Sequence, residues 1–257
     1  MDPGAAIADV WTLLKPEATA AEIALVAAVA LIAGVMRGFS GFGSALVVVP
    51  VMAAVFGPRL AVPAAIVVHL LTTAQLLPGA FRDVEWGRTL PLSVAGSLAI
   101  SLGAWALVAL DPELIRRGIA ILIIVFAVLM LRGWRYAGRV NAWAMGAAGA
   151  VGGFITGAAT IGGPPVVMFL MAGPYSAAQN RAAIIFYFTF VQAVAVVMYW
   201  IGGLLVWQVL GICLLVLPTL ALGTWIGQSL FTRASETLFR RVALIFLLAI
   251  GVTTLFV

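Results

Sequence analysis

Two glycine-rich breaks interrupt long apolar stretches, and they sit at matching places in the two halves of the chain. The first reads Gly34-Val35-Met36-Arg37-Gly38-Phe39-Ser40-Gly41-Phe42-Gly43-Ser44, the second Gly153-Phe154-Ile155-Thr156-Gly157-Ala158-Ala159-Thr160-Ile161-Gly162-Gly163-Pro164-Pro165. A helix broken inside hydrocarbon exposes backbone groups that lipid cannot satisfy, so such breaks survive only where protein or a polar cavity covers them. Paired breaks in corresponding positions point to two repeats with a ligand site between them.

Composition supports a membrane setting. Of 257 residues, 64% are hydrophobic and 9% charged, and the mean hydropathy is +1.19, far from the values of a soluble domain. The net charge of +5 comes from basic residues placed singly in loops, a topology signal that implies no nucleic-acid partner. With one cysteine, Cys213, and one histidine, His69, neither a disulfide nor a His-cluster metal site is expected, and no cofactor is predicted. The start carries Asp2, Asp9, Glu17 and Glu22 against Lys15. Lacking a basic n-region, the first apolar segment is expected to be retained.

Apolar segments run over 22–57 (broken), 60–81, 87–110, 114–131, 142–173 (broken), 177–203, 204–231 and 236–257. Gly34, Gly38, Gly43 and Met52 fall on Gly153, Gly157, Gly162 and Met171 at a constant offset of 119. Gly103-Ala104-Trp105 matches Gly223-Thr224-Trp225, and Leu114-Ile115-Arg116-Arg117 matches Leu238-Phe239-Arg240-Arg241. Their shared order favours duplication. If each broken segment crosses once, the two faces carry six and seven basic residues; if each folds back, four and nine. The second count satisfies the positive-inside bias.

The predicted fold is therefore an all-α integral membrane protein of two inverted repeats. Each repeat is a re-entrant helical hairpin plus three transmembrane helices. The divisions are a tail 1–21, a repeat 22–132, a linker 133–141 and a repeat 142–257. The linker is placed in the cytoplasm and both termini outside, in a bacterial inner membrane. The hairpin legs 22–36 and 44–56 are expected at about 20 Å each, too short to span and adequate for a tip near the middle.

A helix that begins inside the membrane presents free amides and positive potential, which together make an anion site. Ser40, Gly41, Phe42, Gly43 and Ser44 lead into one such start. In the other, Thr160 is expected as N-cap, with Gly162, Gly163 and Pro164 at the helix start. Hydroxyls of Ser40, Ser44, Thr156 and Thr160 could add hydrogen bonds. Arg37, the one basic side chain inside an apolar segment, costs about 3 kcal/mol to bury and so needs a partner or a task, such as holding an oxyanion. Glycines at GxxxG spacing also serve helix packing alone, and both uses can coexist.

His69 is either a proton relay, which would make protons the coupling ion, or a neutral ring bonded to a nearby carbonyl. Gln75, Gln192 and Tyr187, like Thr72 and Thr189, either line a path or bond between helices. No carboxylate lies in mid-segment to hold a cation, so anion passage is favoured. Gly38-Phe39-Ser40-Gly41 with His69 also fits an intramembrane serine protease, although such an enzyme has no use for an internal repeat. An anion channel needs the same polar path as a carrier.

The blocks Gly34-x3-Gly38-x2-Gly41-x-Gly43 followed by Pro50, and Gly153-x3-Gly157-x4-Gly162-Gly163, resemble the duplicated glycine-rich signature of the sulfite exporter TauE/SafE family. Arg59 to Ala65, Asn180 to Ala183, Asp83 to Trp86 and Val206-Trp207 resemble that family's helix starts and turns. The resemblance covers residues 24–255 and implies a secondary transporter, not an enzyme, for sulfite, sulfonates or related sulfur anions. Ala158, Ala159 and Pro164 depart from the family's usual Ser or Gly, which implies chemically unequal half-sites.

Overall fold

A computed structural model describes residues 18–40, 43–74, 77–132, 136, 141–171 and 173–231. Their elements are α1 (Ala20–Ser40), α2 (Ser44–Phe56), α3 (Pro58–Ala74), a single turn α4 (Leu77–Ala80) running into a 3-10 turn (Phe81–Asp83), α5 (Trp86–Ala109), α6 (Pro112–Leu131), α7 (Ala142–Ala159), α8 (Gly163–Leu170), α9 (Ala177–Ile201) and α10 (Trp207–Phe231). No strand occurs among the described residues. Five helices, α1, α5, α7, α9 and α10, are long and apolar enough to cross a membrane. Their outward faces are greasy: Leu98, Leu102 and Trp105 on α5 and Leu214, Leu222 and Trp225 on α10 are each more than half exposed. A surface of that kind needs lipid. The chain is an all-helical, multi-pass membrane protein. The apolar run at 236–257 lies outside the described residues, as do most of the tail and of the linker.

Both breaks fall where the glycines predict, but the helices on the two sides of each break are unequal. α1 has 21 residues and α7 has 18, against 13 in α2 and 8 in α8. At 1.5 Å per residue the first legs are about 32 and 27 Å long, so the expected 20 Å leg ending at residue 36 is too short. The helix continues through Gly38 to Ser40. A single interior glycine costs only about 1 kcal/mol, less than leaving amides unpaired in hydrocarbon.

The helix starts fall into two kinds. Thr19 and Glu22 cap α1 reciprocally, Glu22 N–H bonding to Thr19 Oγ1 (3.2 Å) and Thr19 N–H to Glu22 Oε2 (2.7 Å). Asp111 accepts from Glu113 N–H, Asn141 from Ala144 N–H, and Ser176 forms a capping box with Gln179. The two interior starts have glycine N-caps, Gly43 and Gly162, and no side-chain cap, and Glu85 at the start of α5 likewise makes none.

Packing is reciprocal between the halves: α1 lies along α10, and α5 along α7. Glycine makes this approach possible. A Cβ on Gly149, Gly153 or Gly157 of α7 would strike the carbonyl oxygen of Leu92, Gly96 or Ile100 on α5. On the other pair, Gly34 abuts the Leu220 carbonyl and Gly227 that of Val35. The registers correspond. Gly34 meets Leu220 as Gly153 meets Gly96, and Val35 meets Gly227 as Phe154 meets Gly103. Residues of α7 thus follow their α1 counterparts by 119, and those of α10 follow α5 by 124. The packing pairs Gly103 with Gly227, one turn beyond its sequence match Gly223, because backbone approach rather than residue identity sets the equivalence.

Helix α5 also orders the ends of the molecule. Near its start Arg88 Nη1 donates to Asn180 Oδ1 (2.9 Å), and Gln179 Nε2 donates to Glu85 Oε1 (3.2 Å). Near its end Arg59 Nη2 donates to the Val108 carbonyl (2.7 Å). Arg88 and Val108 are about 30 Å apart along the helix. Arg59 and the start of α9 therefore lie at opposite ends of the bundle.

Candidate functional site

Both interior helix starts open onto one cavity of about 90 Å³. Gly43 and Ser44 reach it from α2, Gly163 and Pro164 from α8, and Thr160 from the second break. At roughly 30 Å³ per water, the space is that of about three water molecules.

Gly43 adopts φ 94° with nothing within 4 Å of where a Cβ would sit. The left-handed conformation, rather than crowding, demands glycine there. Leu46 N–H bonds back to the Gly43 carbonyl (3.1 Å); the Ser44 and Ala45 amides precede that first intrahelical bond and are the donors this start can offer. The second start differs. Pro164 and Pro165 have no N–H, so Gly163 supplies the first amide of α8. Thr160, expected as an N-cap, is instead the C-cap of α7, with φ 61° and its N–H on the Thr156 carbonyl (2.8 Å); Gly162 caps α8. A left-handed residue closes a helix more readily than it opens one. The strain of a β-branched residue in that region is offset by the Thr160 hydroxyl donating to the Val62 carbonyl (3.2 Å).

Arg37 sits in the last turn of α1 and lines the cavity. Its Nη2 donates to Thr73 Oγ1 (3.1 Å). Among the described residues no carboxylate pairs with it: the ion pairs there are those of Glu113 with Arg116 and Arg117. Among the described residues Arg37 is the one charged side chain on the cavity wall.

His69 is buried with both ring nitrogens occupied: Nδ1 lies 2.6 Å from the Ala65 carbonyl and Nε2 lies 2.9 Å from Ser44 Oγ. A carbonyl can only accept, so Nδ1 carries the proton and Nε2 receives the Ser44 hydroxyl hydrogen. Of the two roles open to His69, this geometry matches the neutral ring held by a carbonyl.

Gln192 lines the cavity too. Thr156 and Tyr187 do not: Thr156 Oγ1 donates to the Gly152 carbonyl (2.6 Å) within α7, and Tyr187 OH donates to the Gly149 carbonyl (2.9 Å), fastening α9 to α7. Gly162 packs against the Gly152 carbonyl rather than facing the cavity. Thr72 and Thr189 bond within their own helices. Gly41, Phe42 and Gln75 lie outside the described residues, and of Ser40 only the helical backbone is described.

Residue-by-residue reading of the sequence overlooks Thr73 and the apolar wall of Ile184, Ile185 and Phe188. Thr73 was findable, since it stands one turn after His69 on the same helix face. A second cavity of about 360 Å³ holds Asp83 and Arg181, and Ile185 is common to both walls.

No curated protein and no solved structure matches the chain. A family model does, that of the sulfite exporter TauE/SafE, over residues 26–254. That stretch takes in both breaks, the cavity they open onto and nearly the whole length of the chain, and so this protein belongs to the sulfite exporter TauE/SafE family.

Proposed function

We propose that the protein is a secondary transporter that holds a small sulfur oxyanion, such as sulfite, in the cavity between the starts of α2 and α8. Family membership makes it a membrane transport protein of the sulfite-exporter type, with a small sulfur anion as the implied substrate. The observation that carries the site is the convergence of two uncapped interior helix starts on one cavity containing a lone arginine. α1, α6, α7 and α9 each give a first-turn amide to a side chain, and the uncapped α5 begins at an end of the bundle; the two starts at the cavity leave theirs available to a ligand. Arg37 adds charge-assisted donors, and no acid on the wall opposes an anion. The small volume favours an inorganic oxyanion over an organosulfonate.

Movement would come from rocking of two inverted halves around the cavity. The reciprocal registers of α1 with α10 and of α5 with α7 support that relation. The placement of Arg59 and Asn180 at opposite ends of α5 supports hairpins that fold back, since single crossings would put the start of α9 at the other end. In that topology the linker faces the cytoplasm and both termini face outward; export, the direction in the family's description, is the direction we adopt. Proton coupling, if it operates, must pass through the Ser44–His69 pair or the substrate itself.

The test is uptake and efflux of radiolabelled sulfite, sulfate, thiosulfate and taurine by protein reconstituted in liposomes. Transport of an inorganic sulfur anion, lost in Arg37→Ala while the variant stays monodisperse, is expected. Transport of none of the four, or an Arg37→Ala rate equal to wild type, overturns the proposal.

A further inference from the structure

We propose that Arg88, at the end of the bundle where α5 and α9 begin, is a second oxyanion station, joined to the main cavity by a seam of hydroxyls between those two helices. The idea rests on the transport reading above and adds a site that it does not need. Among the described residues, the buried side-chain polar atoms without any partner are Nε and Nη2 of Arg88, Oγ1 of Thr89, Oγ of Ser93 and Ser97, and Oε1 of Gln192. Folded chains rarely leave buried polar groups unmet, so five such donors, with the acceptor Gln192 Oε1 beyond them, call for something the chain binds. All six atoms belong to α5 or α9, helices that pack together.

Arg88 is only 3% exposed. Its guanidinium lies 3.7 Å from the centroid of the Tyr175 ring, and Nη1 is spent on Asn180. The nearby carboxylate of Glu85 is engaged by Gln179 rather than by Arg88. What remains free is the Nε–Nη2 edge, the side-on fork that takes two oxygens of a carboxylate, phosphate or sulfur oxyanion. Stacking and the Asn180 bond hold that fork in one orientation.

The neighbouring hydroxyls extend the site inward. Thr89, Ser93 and Ser97 recur every four residues and so share one face of α5. Within that stretch, Gly96 abuts Tyr187 and Val191 of α9. Val191 precedes Gln192, which lines the main cavity. An anion released from Arg88 would meet one hydroxyl per turn on the way to Gln192. Neither of the two cavities described above is lined by Thr89, Ser93 or Ser97, so the seam is the closed half of the route, hydrated when the halves rock.

An oxyanion at a membrane edge could be the transported solute or a lipid phosphate; a seam running inward suits the solute, since a lipid headgroup cannot follow it. Radiolabelled sulfite binding to the purified full chain in detergent tests this, with and without added phosphatidylglycerol. Wild type is expected to bind a second equivalent of sulfite that survives Arg37→Ala and is weakened at least about tenfold by Arg88→Gln. Arg88→Lys, which keeps the charge but loses the fork, should not restore it. It also serves as the readout if the glutamine variant misfolds. A single equivalent abolished by Arg37→Ala sinks the second station and leaves the main site intact. Displacement of the second equivalent by phosphatidylglycerol, or Arg88-dependent lipid retention without it, assigns the fork to lipid and equally overturns the proposal. No sulfite binding at all removes both sites.

Discussion

The two breaks share a backbone plan and differ in chemistry. In the first, Gly43 stands in open space, α2 begins with two free amides, and Arg37 and Ser44 face the cavity. In the second, Gly162 is pressed against the Gly152 carbonyl, prolines remove two amides, and Thr160 ties the turn to α3. Thr156, which follows Arg37 by the repeat offset of 119, turns its hydroxyl into its own helix. On the proposed reading the shared backbone plan is an anion cradle, with most of its contacts in one half. The first break is the reactive wall and the second the rigid one.

Exchanging corresponding residues should expose that inequality most strongly at Arg37 and Thr156. Arg37→Ala is expected to lower the rate of sulfite transport by about 100-fold, the worth of charge-assisted hydrogen bonds to the anion. Thr156→Val removes only a bond within α7 and should stay within about twofold of wild type. Equal losses at both positions in proteoliposome flux would break the comparison.

Stability should show the opposite bias. A Cβ at Gly162 meets backbone and the Thr156 hydroxyl, so Gly162→Ala is expected to cost about 1–3 kcal/mol and lower the melting temperature in detergent. Gly43 needs only a residue that tolerates the left-handed region, which asparagine does. Gly43→Asn should therefore melt within a few degrees of wild type. A Gly43→Asn protein less stable than Gly162→Ala would show that the first turn is the rigid one.

Ser44→Ala comes next in size. It leaves the His69 Nε2 lone pair without its donor and turns an acceptor toward the anion, an effect of about tenfold on transport through the loss of one buried hydrogen bond. Its counterpart, Gly163, has no side chain to lose. An unchanged rate in Ser44→Ala would remove the pair from the reactive wall.

Much of this was legible in the residues themselves. Glycine spacing located both breaks, and the repeat offset and arginine asymmetry pointed to hairpins that fold back. What the letters hid is geometric. Gly38 reads as a breaker but lies within α1, because lipid penalises an open backbone more than it penalises glycine. Thr160 reads as an N-cap, yet its position between two helices lets it close the first instead. Tyr187 reads as a path residue, but glycine at 149 bares a carbonyl that its hydroxyl can reach. Arg88 stands at the start of the apolar run 87–110, and only the packing of α9 over it reveals a guanidinium with an unspent edge.

The smallest effect is also the sharpest test of unequal halves, because it is a gain. Pro164 occupies the second position of α8, where its missing N–H withholds a donor from the cavity. Pro164→Ala restores that amide beside Gly163, so the second start would then offer two donors, as the first does. Alanine gives up the preset φ of proline at the helix start, a modest loss against the new hydrogen bond to an anion. Sulfite should accordingly bind about threefold more tightly, read as a lower Kd by equilibrium binding, with Arg37 still required. If Kd is unchanged while α8 remains folded, the amides of the second start do not touch the anion, and the cradle belongs to the first break alone.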